Sequence, residues 1–255
     1  MNQTPLKHSS STRFAPARSL VTGATSGIGL ALTEQLAAAG LPVVALGRRT
    51  ETLLALQARY PSLAVVQADL SALGQLDALA QHLVSAFPDL CCVIHNAGIQ
   101  HNVRFDAADY GLDAIRTEID TNLVAPIALT RALLPQLLSR PQAWVVNVGS
   151  GLAFAPKRSS AVYGATKAGL HLFTQGLRVQ MQGSPLYVVE TVMPLVDTPM
   201  TLGRGQNKLS ATEAAAQIIQ GLQAGRQDIW VGKARGIPWL QRFAPSVLRR
   251  IMRNG

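Results

Sequence analysis

The chain has few cysteines and lacks long hydrophobic runs. Its two cysteines, Cys91 and Cys92, are adjacent in an apolar segment, and no second pair completes a disulfide framework or a metal site, so we expect buried thiols. The longest apolar runs end far short of the ~20 residues that a membrane-spanning helix needs. Residues 1–18 lack the apolar core of a secretory signal. We therefore expect a cytoplasmic protein with a flexible N-terminal segment at residues 1–18.

Positive charge exceeds negative charge, but it is concentrated near the two ends of the chain. The net charge is +9, of which Lys7, Arg13 and Arg18 supply three and six further basic residues between 233 and 253 supply the rest. The body of the chain is therefore neutral, and aromatic residues make up only 5% of the sequence. A basic face with aromatic side chains that stack on bases is typical of nucleic-acid-binding proteins. We therefore predict no nucleic-acid partner.

Short apolar or β-branched runs alternate with longer segments of helical period along the chain. This alternation is typical of a parallel sheet with crossover helices, and continuous apolar strands indicate that helices cover both sheet faces. The predicted strands lie at 19–22, 42–46, 63–67, 90–94, 143–148, 186–192 and 228–231. The predicted helices lie at 27–39, 50–59, 71–86, 106–139 with a break, 160–182 and 211–224.

The pattern predicts an α/β fold, a doubly wound Rossmann-type sandwich with about seven parallel strands and helices on both faces. Hydrophobic residues make up 48% of the 255 residues, enough for one large core. We expect one domain at residues 19–232, and a basic amphipathic C-terminal extension at residues 233–255 that packs on or near it. In such a sheet, ligands bind beyond the carboxyl ends of the strands.

A glycine-rich segment, TGATSGIG, joins the first predicted strand to the first predicted helix. Gly23 permits a tight turn, and Gly27 and Gly29 let the backbone approach a pyrophosphate at the start of the helix. Glycine after a strand is most often only a turn. The order strand, glycine segment, helix predicts a dinucleotide-binding site instead.

The end of the second predicted strand indicates which dinucleotide binds. Sites for NAD usually place an Asp or Glu there, whereas a basic residue accommodates the 2′-phosphate of NADP. This chain has Gly47, Arg48 and Arg49 at that point and no carboxylate. Because a guanidinium suits bidentate phosphate recognition, Arg48 favours NADP(H) over NAD(H). The alternative, that an arginine only solvates the start of the next helix, applies more readily to Arg49.

The segment YGATK places Tyr163 four residues before Lys167, on the same face of a predicted helix. Taken alone, the pair fits a tyrosine at the edge of the core and a lysine that extends to water. A second hydroxyl, that of Ser150, lies thirteen residues before Tyr163. Together the three residues suit proton transfer to a nascent alkoxide: Lys167 lowers the pKa of Tyr163, and Ser150 holds the substrate oxygen.

The ordered motifs resemble the short-chain dehydrogenase/reductase family over residues 19–200. TGATSGIG matches the TGxxxGIG of the family, HNAG matches NNAG with His95 in the first place, and YGATK matches YxxxK. Asn122 matches the active-site Asn of the family. The resemblance implies that the cofactor is bound by Gly23, Thr25, Ser26, Gly27, Ile28, Arg48, Asp69, Leu70, Asn96, Ala97, Gly98, Tyr163, Lys167, Pro194, Val196 and Thr198.

The resemblance also implies a catalytic set of Tyr163, Lys167, Ser150 and Asn122. In the family, the lysine binds the nicotinamide ribose hydroxyls and the asparagine holds a water that relays protons. The implied partner is a small or medium, apolar carbonyl or alcohol substrate, and the implied assembly is a homodimer or a homotetramer. The alternative function is that of a non-catalytic NADP(H)-binding regulator, which would not need the Ser150, Tyr163 and Lys167 set.

Within the family, the segments HNAGIQ, GSGLAFAPKRSSAVYGATK and VDTPM resemble the DltE-like branch. One position departs from the family pattern, because Leu195 follows Pro194 where the family often has glycine. Its side chain is expected to extend apolar surface toward the nicotinamide or to reshape the substrate loop. Side chains expected to line an apolar substrate pocket are Leu152, Phe154, Met193, Leu195, Met200 and Leu202.

The C-terminal segment IPWLQRFAPSVLRRIMRNG carries apolar residues at helical spacing with arginines elsewhere on the helix. Pro245 is expected to divide it into two short helices. A basic amphipathic segment can make weak contact with an anionic membrane. The favoured alternative is that the segment packs over the substrate cleft or a subunit interface.

Overall fold

The computed structural model describes residues 14–254, and seven parallel strands form its central sheet. In chain order the strands are β1 (Ser19–Thr22), β2 (Val43–Gly47), β3 (Ala64–Gln67), β4 (Cys92–His95), β5 (Ala143–Ser150), β6 (Leu186–Met193), β7 (Val196–Asp197), β8 (Leu209–Ser210) and β9 (Asp228–Trp230). The sheet order is β3-β2-β1-β4-β5-β6-β9, and β7 and β8 form a separate parallel pair. The seven predicted strands are confirmed, each to within two residues at either end.

Helices follow the strands and cover both faces of the sheet. In chain order they are α1 (Gly27–Ala38), α2 (Thr50–Arg59), α3 (Leu76–Ala86), α4 (Leu112–Ile119), α5 (Ala125–Leu138), α6 (Ala161–Gln180), α7 (Ala211–Gln223), α8 (Ile237–Phe243) and α9 (Pro245–Asn254). The segment predicted at 106–139 is broken, as expected, but its helix begins only at Leu112. Within the described residues, no helix is both long and apolar enough to cross a membrane.

The apolar strands are explained by two core layers, one on each side of the sheet. Along β2, Val43 and Ala45 pack with α1, α2 and α7, whereas Val44 and Leu46 pack with α3 and α5. Successive side chains of a strand point to opposite faces. Because both faces are buried, the strands need apolar residues at every position rather than at alternate ones.

The strand order reverses between β1 and β4, which pair in register from Ser19 opposite Cys92. Loops that leave the carboxyl ends of these two strands diverge to opposite sides and open a crevice between them. The glycine-rich segment follows β1, and residues 96–98 follow β4. The fold thus brings two of the predicted cofactor-binding segments to the same place.

Residues 14–18 belong to the segment predicted to be flexible, yet they pack against the domain. The Phe14 side chain is 4% exposed, and its ring meets the Trp144 ring edge-on with 5.3 Å between centroids. Arg18 Nε donates to Asp89 Oδ1 at 2.7 Å. Burial of an aromatic ring offsets the entropy of ordering this stretch. The rest of the predicted flexible segment, residues 1–13, lies outside the described residues.

Candidate active site

A cavity of about 620 Å³ lies at the carboxyl edge of the sheet, a volume typical of small-molecule sites. It extends from the glycine-rich segment, past the start of α6, to the two C-terminal helices. Thirteen residues predicted for the site line it: Gly23, Ser26, Gly27, Ile28, Asn96, Ala97, Gly98, Ser150, Tyr163, Lys167, Pro194, Val196 and Thr198. The structure therefore brings most of the predicted site residues together.

Four predicted cofactor-binding residues lie outside this cavity, around the ends of β2 and β3. Arg48 forms an ion pair with Asp69, with 3.6 Å between Nη1 and Oδ2. Burial acts against the charge of Asp69, but hydrogen bonds from Ser71 and the charge of Arg48 hold its pKa below the usual value. The Leu70 side chain is buried in the core. Thr25 accepts hydrogen bonds from Arg49, whose Nε lies 3.4 Å from Thr25 Oγ1.

The glycine-rich segment forms a cradle that side chains would fill. Gly23 and Gly27 have φ angles of +66° and +53°, in the left-handed region that favours glycine. A Cβ atom on Gly27 would lie 2.9 Å from Thr198 Cγ2. Ser26 precedes α1 without capping it through its side chain, so the first N–H groups of α1 are available to an anion in the cavity. These features fit the pyrophosphate of a dinucleotide.

The change Gly27→Ala is expected to weaken NADPH binding by about tenfold or more, because strain of ~1–3 kcal/mol and the contact with Thr198 displace the cradle. Fluorescence titration with NADPH measures this effect. Gly183→Ala is the matched control, since Gly183 also has a positive φ of +80° but has no atom within 4 Å of the added Cβ. Equal NADPH affinity in Gly27→Ala and the parent would contradict the role of the cradle.

Hydrogen bonds join the ends of the two central strands beneath the cavity. The Thr22 hydroxyl accepts from the backbone N–H groups of Asn96 and Ala97, each at 3.0 Å. Asn96 Nδ2 donates to the Thr22 carbonyl at 3.0 Å. His95, which stands in the first place of the motif, is buried, and its Nε2 lies 2.8 Å from Thr130 Oγ1. The HNAG motif therefore fixes the geometry at the switch point.

Asn122 lies beneath the cavity rather than in its wall, in a π-helical turn at Asp120–Val124 that separates α4 from α5. Its Nδ2 donates to the Ile99 carbonyl at 2.8 Å, and its Oδ1 accepts from the Ile99 N–H at 2.8 Å. A Cβ atom on Gly98 would lie 3.2 Å from Asn122 Oδ1 and 3.8 Å from Lys167 Nζ. The π turn thus directs the Asn122 side chain toward Lys167 while it anchors the loop after β4.

Tyr163 and Lys167 occupy successive turns of α6 and meet Ser150 at the end of β5. Lys167 Nζ donates to the Val148 carbonyl at 2.8 Å and lies 5.7 Å from the centre of the Tyr163 ring. The Ser150 hydroxyl lies beside Tyr163 in the cavity wall and accepts from the Leu152 N–H at 3.2 Å. Two hydroxyl groups and one ammonium therefore converge on the cavity.

The pKa of Tyr163 differs from the sequence prediction. Burial raises it to about 12, although the Ser150 hydrogen bond and the charge of Arg204 act in the opposite direction. The expected lowering is wrong for this structure, because burial dominates and Lys167 is not among the groups that shift this pKa. Burial also lowers the pKa of Lys167 to about 8, which the negative charge of Glu190 opposes.

Glu190 is a buried carboxylate on β6 that the sequence patterns do not single out. Its Oε2 lies 2.7 Å from Nδ1 of His171, one helical turn beyond Lys167 on α6. Its other oxygen, Oε1, is buried and has no hydrogen-bond partner among the described residues. Glu190 therefore places negative charge near Lys167.

The C-terminal segment packs over the cavity, which agrees with the favoured prediction that it covers the substrate cleft or a subunit interface. Pro245 begins α9 and separates it from α8, which confirms the predicted break. The side chains of this segment that line the cavity are Ile237, Leu240, Leu248, Ile251 and Met252. The Arg158 N–H donates to the Arg253 carbonyl at 3.2 Å and ties α9 to the loop after β5.

The predicted apolar lining is correct at four positions and wrong at two. Leu152, Met193, Leu195 and Met200 line the cavity. Leu202 is 81% exposed, because the loop turns it outward. Phe154 packs instead against the rings of His171 and Trp230.

Leu195 lies between β6 and β7, where it lines the cavity and contacts Gly205. A Cβ atom on Gly205 would lie 2.4 Å from Leu195 Cδ2. Gly205 has a φ of +64°, in the left-handed region. The leucine side chain therefore packs directly against the backbone of the loop after β7.

Several polar residues of the cavity were not predicted as site residues. They are Gln100, Lys157, Arg204 and Lys233, which lie on the loops after β4, β5, β7 and β9. The only available signal was their position shortly after strands, where parallel sheets bind ligands.

Known proteins are similar to most of this chain. The family model of the short chain dehydrogenases matches residues 18–209. DltE of Bacillus subtilis (strain 168), an uncharacterized oxidoreductase, is 33% identical over 224 residues, which are 86% of this chain and 89% of that protein. A sulfoacetaldehyde reductase of Chromohalobacter salexigens is 34% identical over 203 residues, which are 76% of this chain and 78% of that protein.

A solved structure extends the similarity to nearly the full chain. The short chain dehydrogenase of Burkholderia cenocepacia J2315, crystallised with NADP, has a TM-score of 0.81 at 25% identity and covers 94% of this chain and 99% of its own. The glycine cradle, the HNAG and YGATK motifs and the seven-stranded sheet occur here together. The chain belongs to the short-chain dehydrogenase family, in the branch of DltE.

Proposed function

We propose that this oxidoreductase uses NADP(H) to interconvert a carbonyl group and an alcohol on a small or medium substrate, with Tyr163 as the general acid and base. The observation that carries the proposal is the convergence of Ser150, Tyr163 and Lys167 on a cavity that continues into the glycine cradle. NADPH bound in the cradle would supply the hydride for reduction. An apolar part of the substrate would pack against the C-terminal helices.

The residues of the chain can perform the proton transfer that reduction requires. The Ser150 hydroxyl would donate a hydrogen bond to the substrate oxygen and hold it near the Tyr163 hydroxyl. Tyr163 then gives its proton to that oxygen as the carbonyl carbon gains the hydride. The positive charge of Lys167 stabilises the phenolate that remains, and Tyr163 is reprotonated from solvent. A pKa of about 12 keeps Tyr163 protonated at neutral pH, which favours the reductive direction.

The remaining predicted roles complete the proposal. Lys167 would bind the nicotinamide ribose hydroxyls, and Asn122 would hold a water that connects Lys167 to solvent. Thr25, Asp69 and Leu70 would contact the adenosine end. The alternative of a non-catalytic regulator is less favoured, because a sensor needs the glycine cradle but not a buried lysine beside a tyrosine and a serine.

A panel of aldehydes and ketones, followed by the loss of NADPH absorbance, tests this function. We expect reduction of at least one class of carbonyl compound with NADPH and slower reduction with NADH. Cofactor binding without turnover across a broad panel would favour the regulator.

Arg48→Ala is expected to raise the KM for NADPH by about 10- to 100-fold, because a charge-assisted contact with phosphate contributes about 1.5–3 kcal/mol. The KM for NADH should stay the same, since NADH lacks the 2′-phosphate. The matched control is Arg59→Ala, because Arg59 pairs with Glu34 on the outer surface of α1. Tighter binding of NADH than of NADPH by the parent protein would refute the cofactor assignment.

We also propose a homodimer or a homotetramer. On α6, Leu172 and Val179 are 72% and 65% exposed, and they lie seven residues apart on one face of the helix. Exposed apolar side chains of this size on one helix face favour an interface. Light scattering on the purified protein measures the oligomeric state.

A further inference from the structure

The cavity lining is positively charged, although the charges in the body of the chain sum to about zero. Four cationic side chains line it, those of Lys157, Lys167, Arg204 and Lys233. Among the described residues that line it, none is an aspartate or a glutamate. A cavity with charges of one sign concentrates ligands of the opposite sign.

Arg204 is held in the cavity wall by neutral partners. Its Nη2 donates to Gln100 Oε1 at 2.9 Å, and its Nη1 donates to Asn102 Oδ1 at 3.2 Å. Gln100 in turn donates to the Ser160 hydroxyl at 2.9 Å, at the start of the catalytic helix α6. No carboxylate within residues 14–254 forms an ion pair with Arg204. The guanidinium is therefore positioned but not neutralised.

Lys157 stands in the same wall without a partner. Its side chain is partly buried, and the described part of the chain offers its ammonium neither a hydrogen bond nor an ion pair. Burial and the nearby charge of Arg204 both lower its pKa. Two like charges that repel each other in a half-buried site are stabilised when an anion binds between them.

The two cations lie on the substrate side of the cavity. The charge of Arg204 acts on the Tyr163 hydroxyl, and Lys157 lies on the loop between Ser150 and α6. The glycine cradle and Arg48, which would hold the phosphates of NADP(H), lie on other loops, after β1 and β2. A group bound by Lys157 and Arg204 would therefore belong to the substrate.

We propose that the substrate carries an oxyanion group, such as a carboxylate or a sulfonate, which Arg204 and Lys157 bind while its carbonyl or alcohol group meets Ser150 and Tyr163. This inference rests on the proposed function and narrows its substrate class. The apolar side chains of the C-terminal helices then contact the carbon skeleton between the two polar ends. The substrate is thus an oxo acid or a hydroxy acid rather than a wholly apolar compound.

Matched substrate pairs test the inference by turnover. 4-Formylbenzoate and 4-oxobutanoate are compared with their methyl esters, and sulfoacetaldehyde adds a sulfonate. We expect the parent enzyme to show a kcat/KM at least about tenfold higher for each acid than for its ester. In Arg204→Gln and Lys157→Gln, the ratio of kcat/KM for the acid to kcat/KM for its ester should fall by about tenfold, because the KM for the acid rises. The Kd of NADPH should change by less than about twofold.

Arg158→Gln serves as the control, because Arg158 is adjacent to Lys157 but is exposed and does not line the cavity. It removes the same charge and should leave the ratio of acid to ester unchanged. Equal kcat/KM values for acids and esters in the parent enzyme would overturn the inference and leave the proposed function intact. An unchanged ratio in both Arg204→Gln and Lys157→Gln would also overturn it.

A binding measurement separates this inference from the proposed function. Titration calorimetry compares benzoate with benzamide on the parent protein saturated with NADP⁺. We expect benzoate to bind at least about tenfold more tightly, and Arg204→Gln to remove the difference. If no carbonyl compound is reduced but benzoate still binds through Arg204, the function fails and the anion site stands. If benzoate and benzamide bind equally, the anion site is refuted.

Discussion

Tyr163→Phe is expected to lower kcat for carbonyl reduction by about 10³-fold, because in the proposed function the phenol protonates the substrate oxygen. The phenyl ring fills the same space beside Lys167, so the cavity and the cradle keep their shape. The Kd for NADPH should therefore stay within about twofold of the parent value. Steady-state rates and fluorescence titration measure the two quantities.

The control for this change is Tyr60→Phe. Tyr60 follows α2, far from the cavity, and its loss of a hydroxyl reports any general effect of the substitution. Full turnover in Tyr163→Phe would exclude Tyr163 as the acid. A loss of NADPH binding in the same variant would mean that Tyr163 acts mainly in holding the cofactor.

The rate of reduction is expected to fall as the pH rises through about 8, the pKa of Lys167. Below this pH the ammonium is charged and stabilises the phenolate that forms when Tyr163 gives up its proton. Above it the charge is lost, so kcat/KM should fall by about tenfold per pH unit. Tyr163 contributes no fall in this range, because its pKa is about 12.

Two variants test the assignment to Lys167. Lys167→Met should lower the rate by about 10²-fold and remove the fall above pH 8, because no titrating ammonium remains. Glu190→Gln should shift the fall to lower pH, since the negative charge of Glu190 raises the pKa of Lys167. A fall at the same pH in Lys167→Met would assign it to a different group.

The sheet could be predicted because its strands are buried on both faces. Such strands are continuous apolar runs, and each of the seven ended in a recognisable loop. The π turn at Asp120–Val124 was visible only as a break between helices. Asn122 could be assigned by its motif, but its hydrogen bonds to Ile99 depend on a turn that no residue pattern specifies.

The cluster of cationic side chains in the cavity wall could not be predicted from the sequence, and the reason is physical. Lys157, Arg204 and Lys233 lie on separate loops, and only the packing of those loops brings them to one cavity. Net charge sums over the whole chain and does not show where charges meet, and Lys233 was counted only among the basic residues near the C-terminus. The pKa of Tyr163 was predicted in the wrong direction because spacing along a helix gives the nearness of Lys167 but not the depth of burial.

The C-terminal helices α8 and α9 contribute no strand to the sheet, yet they supply much of the apolar cavity wall. The glycine cradle is built by residues 23–29, near the other end of the chain. Under the proposed function, changes in residues 237–254 are therefore expected to alter which carbon skeleton fits more than they alter the cradle. Relatives that share the first two hundred residues can diverge in selectivity through this short segment, and directed evolution of new substrates can begin there.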